Sequence, residues 1–334
     1  MAKLKNPNLP KLTQTTKRPN DQTTKRPNFT RPAVSGRGPN DQRNMSIVII
    51  APYRKTDALK QRLESLLPGT PIYNSEPFPE PDQVKMAILW KQPSHALRPF
   101  SNLQLIHSLG AGVDHITNDV SIPAHLPIVR IVDEQLTTGM RRYVVMAVLN
   151  HHKNLYYHLR QQKNRSWSGI DTATNELKIG VLGLGVLGQD VAHYLASLDF
   201  EVMGFSRLPK TIGGVKCFSD QEGELPLFLS KINTLICLLP LTEATNGILN
   251  YSLFKQMQPN SYLINVGRGA HLVDDDLLKA IKEGHMVGAC LDVLNQEPLP
   301  PDHPFWANEK ITLTPHIASI TNQESAAQQM AENY

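Results

Sequence analysis

KIGVLGLGVLGQDVAHYLASLDFEVMGFSR, residues 178–207, decides the fold. Lys178–Leu182 is a short apolar run, Gly183, Gly185 and Gly188 follow at GxGxxG spacing, and Val191, Leu195 and Leu198 then recur at helical spacing. Strand, glycine turn and helix in that order is the context that gives the spacing meaning. The first glycine allows a tight turn, the second lets a pyrophosphate approach the main chain, and the third lets helix and strand pack closely. Phosphates are then expected on the helix N-terminus, where Val186 and Leu187 complete the cradle. The next strand, EVMGF, ends in Ser206-Arg207 with Lys210 close behind, where a carboxylate would serve the ribose 2′-hydroxyl of NAD. Arg207 suits a 2′-phosphate instead, through a bidentate charge-assisted pair. The expected cofactor is NADP(H), with NAD(H) open if Arg207 only stacks on adenine.

Outward from this stretch, apolar runs at residues 234–238, 261–266, 287–291 and 311–314 alternate with helical patterns, giving a six-stranded unit. Upstream, runs at 47–53, 86–90, 103–109 and 128–132 make a smaller unit with the same rhythm. Leu59, Leu63, Leu66 and Leu67 predict a helix over Thr56–Leu67, stopped by Pro68-Gly69. One long helical pattern runs from about Thr138 to Arg160, with His151 and His152 on a face open to a subunit contact. The reading is an α/β chain of two Rossmann-like or flavodoxin-like units with parallel sheets. Residues 45–137 form a substrate unit, 138–320 a dinucleotide unit, and a helical stretch at 321–334 is expected to pack back toward the first.

At 334 residues and 40% hydrophobic content the chain has material for about two domains. No apolar run approaches the ~20 residues of a membrane span, and the N-terminus lacks the apolar core of a secretory signal. Cys217, Cys237 and Cys290 are odd in number, widely spaced and without metal-ligand spacing, so reduced thiols in a cytoplasmic protein, and no metal, are expected. The net charge of +4 divides unevenly: residues 1–44 hold ten Lys/Arg against two Asp, leaving 24 against 28 in the remainder. All the basicity lies in a Pro-, Asn- and Thr-rich tail with the repeat TQTTKRPN, DQTTKRPN, whose composition predicts disorder. Its functional reading would be an adhesive arm for nucleic acid or an organelle address, against which the expectation is a dispensable extension and no nucleic-acid partner.

Downstream of the glycines stand Arg268 in NVGRGAHLVDDD, Glu297 in LDVLNQEPLP and His316 in LTPHIAS. A guanidinium, a carboxylate and an imidazole are what a site needs to hold a 2-oxo acid and hand it a proton. Asp274, Asp275 and Asp276 read as a helix start, where acids favour the positive end.

The fingerprint, LLPLTEATNGILN from Leu238, NVGRGAHLVDDDLLKAI from Asn265, GACLDVLNQEPLP from Gly288 and TPHIAS from Thr314 together resemble the D-2-hydroxyacid dehydrogenases, within them the glyoxylate/hydroxypyruvate reductase branch. The resemblance covers about Met45 to Tyr334 and implies an active site in the cleft between two domains. It implies that Arg268 anchors the substrate, that His316 is the general acid and that Glu297 orients it. Asp292 falls near the nicotinamide carboxamide, and Leu239, Pro240, Thr245, Val266 and Gly267 line the cofactor. HSLGAGVDHI from His107 matches a substrate loop in which the N–H groups of Ala111, Gly112 and Val113 receive a carboxylate, with Trp90 as an aromatic wall. Met140 and Tyr143 match hinge-helix residues near the pocket, and a homodimer is implied. The family usually continues beyond the position of Tyr334, so weakened domain closure is an expectation here. Alternatives are another member of the family, such as a phosphoglycerate or formate dehydrogenase, and a non-enzymatic nicotinamide-sensing partner protein.

Overall fold

A computed structural model describes residues 45–170 and 176–334; the expectation for the basic tail lies outside the described residues. Two parallel sheets organise the chain. The first runs β2-β1-β3-β4-β5, from β1 (Ser46–Ile50), β2 (Ile72–Tyr73), β3 (Val84–Leu89), β4 (Leu105–Ser108) and β5 (Ile128–Val129). In β1, Ile47 and Ile49 enter one core with Leu59 and Leu63, while Val48 enters the core on the opposite face with Phe100 and Ile116. Strands covered on both faces read as continuous apolar runs, which is why β1 and β3 were legible. Helix α1 (Asp57–Leu66) packs beside the C-terminal helix α9 (Gln323–Asn333), whose Ala326, Ala327 and Met330 complete the first core.

The second sheet has seven strands in the order β12-β11-β10-β9-β6-β7-β8. These are β6 (Lys178–Leu182), β7 (Glu201–Ser206), β8 (Val215–Ser219), β9 (Thr234–Cys237), β10 (Ser261–Asn265), β11 (Met286–Leu291) and β12 (Ile311–Leu313). Six strands were expected. The addition is β8, a half-exposed edge strand whose VKCFS lacks the apolar continuity of the interior strands. Strand order reverses between β6 and β9, the switch point at which open α/β sheets bind ligands.

Between the sheets, α2 (Asp114–Thr117) follows β4 and α3 (Glu134–His152) follows β5. Asp133 caps α3 by accepting the Leu136 N–H at 2.6 Å, and Leu136, Met140, Tyr143, Val144, Ala147 and Val148 form its buried stripe. The single helix expected over Thr138–Arg160 is two. Asn154 adopts a left-handed conformation (φ 52°), ending α3 and starting α4 (Leu155–Lys163); asparagine is among the few residues that visit this region at low cost. His151 lies stacked on Tyr262 with ring centroids 3.9 Å apart, so it is spent on packing, and burial lowers its pKa to about 4. The remaining helices are α5 (Val186–Ala196), α6 (Leu225–Ser230), α7 (Tyr251–Phe254) and α8 (Asp274–Lys282), the last carrying the three aspartates in its first turn. Among the described residues no helix is long and apolar enough to cross a membrane.

Candidate active site

The expected site residues sit at or just beyond the C-terminal ends of strands in both sheets. Gly183 follows β6 with φ +106°, and a Cβ there would lie 2.8 Å from the Leu238 backbone. At Gly188 a Cβ would fall 1.9 Å from the Gly183 carbonyl oxygen, whereas one at Gly185 would meet nothing within 4 Å. The outer glycines thus close the turn against its neighbours and the middle one opens onto free space, ahead of an α5 N-terminus with no side-chain cap. That arrangement fits a pyrophosphate resting on Gly185, Val186, Leu187 and Gly188. Arg207 and Lys210 are exposed and, among the described residues, have no carboxylate within ion-pair distance. The buried hydroxyl of Ser206 donates to the Leu208 carbonyl at 2.8 Å and shapes the turn that presents Arg207. Thr245 likewise donates to the Pro240 carbonyl at 2.7 Å and accepts the Thr242 N–H at 2.8 Å, fixing the Leu239-Pro240 loop from behind.

His316 and Glu297 form a dyad. The Nδ1–H of His316 donates to Glu297 Oε2 at 3.0 Å, and the other carboxylate oxygen accepts the Leu294 N–H at 3.2 Å. Burial pushes the Glu297 carboxyl upward, but hydrogen bonds from His316 and Leu294 and the positive charges of His316 and Lys91 outweigh it, leaving the group below its ordinary value. His316 itself is bent into the left-handed region at φ 55°, a costly conformation that neighbours must impose. Asp292 imposes it. Its carboxylate, 1% exposed, accepts from Thr314 Oγ1 (2.7 Å), Ile317 N–H (2.8 Å) and Ala318 N–H (2.8 Å), while its carbonyl accepts the His316 N–H at 2.9 Å. Asp292 therefore moulds the loop that carries the acid, and its carboxylate is turned into the protein. Thr314 extends this network: the Tyr143 hydroxyl donates to its Oγ1 at 2.5 Å. Tyr143 and Met140, the expected hinge-helix residues, are buried in the core of the second sheet, and Tyr143 supports the acid loop through Thr314.

Arg268 reaches from the end of β10 to the first sheet. Its Nε donates to Asp114 Oδ1 at 3.0 Å and Nη1 donates to the Gly267 carbonyl at 2.8 Å. Nη2 is left facing the Ala111–Val113 loop, so close that a Cβ on Gly112 would overlap it at 1.6 Å. The backbone N–H groups of Ala111, Gly112 and Val113 make no hydrogen bond among the described residues, whereas the loop's carbonyls are held by Arg130 Nη1 on Ala111 (3.2 Å) and Ser108 Oγ on Gly112 (2.6 Å). Three free donors thus lie in one loop beside a guanidinium edge, a combination suited to a carboxylate.

His271, absent from the sequence expectations, holds Arg268 from below. It is fully buried; its Nδ1 accepts the Arg268 N–H at 3.1 Å, which leaves Nε2–H to donate to the Pro240 carbonyl at 3.3 Å. Burial, aided by the charge of Arg268, pulls its pKa down and keeps it neutral, so one imidazole braces both the arginine and the Leu239-Pro240 loop. Asp114 and His271 were discoverable as polar residues within three positions of Gly112 and Arg268. Their function depends on contacts between distant segments that no spacing reveals.

Gly112→Ala tests the close approach. The methyl group would displace the flexible end of Arg268 and not a rigid backbone, so the melting temperature should hold while kcat/KM falls by about 10²-fold, as for a misplacement of about 1 Å. Wild-type turnover in this variant would show that Arg268 does not act from this position.

A sequence profile for the D-isomer specific 2-hydroxyacid dehydrogenase NAD binding domain matches residues 145–318. Glyoxylate/hydroxypyruvate reductase A of Yersinia enterocolitica is 39% identical over 297 residues, spanning 86% of this chain and 94% of the relative. Among solved structures, a D-isomer specific 2-hydroxyacid dehydrogenase from Xanthobacter autotrophicus Py2 in complex with NADPH and MES superposes with a TM-score of 0.81 at 34% identity, covering 87% of this chain and 93% of that one. The NADPH-dependent glyoxylate/hydroxypyruvate reductase of Sinorhizobium meliloti, in complex with NADP and sulfate, gives 0.79 at 31% identity over 86% and 93%.

Proposed function

The chain belongs to the D-isomer specific 2-hydroxyacid dehydrogenase family and is an oxidoreductase, and from that premise we propose that it reduces small 2-oxo acids of the glyoxylate and hydroxypyruvate class with NADPH. The observation that carries the reading is Arg268 Nη2 set against Gly112 in a loop whose Ala111, Gly112 and Val113 N–H groups are free among the described residues, together with a His316–Glu297 dyad. When bound along Gly183–Gly188, with Arg207 and Lys210 at its 2′-phosphate, NADPH supplies the hydride. Arg268 Nη2 and the loop N–H groups hold the substrate carboxylate, and the guanidinium draws electron density toward the carbonyl oxygen. As that oxygen gains charge, Nε2 of protonated His316 delivers its proton, giving the 2-hydroxy acid. Glu297 fixes the ring so that Nδ1 faces inward and Nε2 outward. Loss of NADPH absorbance on mixing with glyoxylate or hydroxypyruvate tests this; tight NADPH binding without turnover of any 2-oxo acid would favour the nicotinamide-sensing alternative.

The cofactor reading carries its own test. Arg207→Ala should raise the KM for NADPH by about tenfold or more, the loss of a charge-assisted pair, with little change for NADH. Equal catalytic efficiency with both cofactors in the unaltered chain would refute the role given to Arg207.

The pH dependence follows from Glu297. Its carboxyl lies below the ordinary value, so it stays ionised throughout the neutral range and its support of the fold is lost only as pH falls through that depressed value. Glu297→Gln should therefore lower kcat near neutral pH and remove the loss of activity that protonation of Glu297 causes in the wild type as pH falls through that depressed value; parallel pH–rate profiles on the acid side would contradict it.

We further propose a homodimer built on the exposed apolar residues Met146, Leu149, Leu155 and Leu159 of α3 and α4, continuing to Trp167 and Ile170.

A further inference from the structure

Three cations gather at the C-terminal edge of the first sheet and its facing loops, and only one is compensated. Arg268 has Asp114. Arg54, in the turn after β1, lays its guanidinium over the Trp90 ring, 4.0 Å from the centroid. One face is covered by the indole and the other is open to solvent, and the covered face is desolvated enough to lower its pKa. Lys91, immediately after Trp90, is held in the left-handed region at φ 46°, a conformation that is sparsely populated for lysine and that clusters at ligand sites. Lys91 lies near enough to His115, which packs against Trp90 at 5.0 Å, and to Glu297 of the dyad for its charge to act on both. Among the described residues neither Arg54 nor Lys91 has a carboxylate within ion-pair distance.

The spatial order matters. Trp90 abuts Gly110, where an added Cβ would lie 2.7 Å from the ring, and Gly110 leads directly into the Ala111–Val113 donors. A substrate whose carboxylate occupies those donors and Arg268 therefore has its far end toward Trp90 and its two uncompensated cations. For glyoxylate there is no far end, and closing the cleft would leave both charges partly desolvated without an anion, which is costly.

We infer that Arg54, Trp90 and Lys91 form a second anion subsite, and that the substrate class is a 2-oxo acid bearing a further carboxylate or phosphate beyond its carbonyl. This rests on the reduction reading above, and the two are separable by experiment. With NADP+ present, the full chain is titrated by calorimetry with malonate and with acetate, unreactive probes that carry two carboxylates and one. Turnover of glyoxylate, oxaloacetate and 3-phosphooxy-2-oxopropanoate is measured alongside, in wild type, Arg54→Met and Lys91→Met; methionine keeps an unbranched stem against Trp90.

The expected result is a preference for malonate over acetate that shrinks by about tenfold in Arg54→Met, the loss of one charge-assisted contact, with a parallel fall in the kcat/KM ratio of the dianionic substrates to glyoxylate. Whichever of oxaloacetate and the phosphorylated acid responds more identifies the anion. An unchanged malonate preference in both variants, or an equal loss on all substrates, would overturn the subsite and leave Arg54 as a prop for Trp90. Glyoxylate turnover with no anion preference sinks the subsite alone, and an anion preference without turnover sinks the reduction reading alone.

Discussion

Replacing His316 with Asn should lower kcat for glyoxylate reduction by about 10²–10⁴, the usual worth of a positioned proton donor. Asparagine is the informative choice. His316 stands at φ 55°, where asparagine is one of the better tolerated residues, and its side-chain amide still offers a donor to Glu297. The loop geometry imposed by Asp292 should survive, and with it NADPH affinity, measured by nicotinamide fluorescence. A variant that binds NADPH normally and turns over at the wild-type rate would remove His316 from the mechanism.

The second large effect is expected at Arg268. Two charge-assisted bonds to a substrate carboxylate are worth about 3–6 kcal/mol together, so Arg268→Ala should reduce kcat/KM by about 10²–10⁴. The same change strands the Asp114 carboxylate, which is 21% exposed and has Arg268 as its ion-pair partner, so a lowered melting temperature should accompany it. Arg268→Lys should recover stability better than activity, because one ammonium cannot engage Asp114 and a substrate carboxylate with the geometry of a planar fork. Steady-state kinetics and thermal melts of the two variants separate these contributions; full activity in the alanine variant would exclude Arg268 as the anchor.

What was legible in the residues follows from how locally each feature is determined. The glycine turn, the interior strands and the order Arg268, Glu297, His316 could be read because each is fixed by a few neighbouring positions or by continuous burial. β8 escaped because an edge strand is covered on fewer sides and its sequence need not be apolar. The break at Asn154 escaped because the apolar period persists across it, and a single left-handed residue leaves no periodic trace. At the site, the residue types were readable but their division of labour was not. Asp292, Thr245 and Ser206 carry polar groups in the expected places, yet each turns those groups inward to hold a loop. Asp114, His271, Arg54 and Lys91 gain their meaning from partners far along the chain, 154 positions away in the Arg268–Asp114 bond.

The hydroxyl chain from Tyr143 through Thr314 to Asp292 ties the acid loop to α3, the helix by which the chain passes from one sheet to the other. Ser319 adds a second tie by donating to the Leu136 carbonyl at 2.7 Å, one turn from the start of that helix. From Met140 onward this helix packs in the core of the second sheet and holds the loop bearing His316, while Leu136 at its start sits in the core of the first. The chain crosses between the halves twice, at the start of that helix and again between Ser319 and α9, whose Ala326, Ala327 and Met330 sit in the first core, so any pivot must use both crossings. Opening the cleft would carry Trp90 and the Ala111–Val113 donors away from the proton donor while leaving the donor's own aim undisturbed, so the enzyme would re-form its reacting geometry on each cycle by returning one half to a fixed reference.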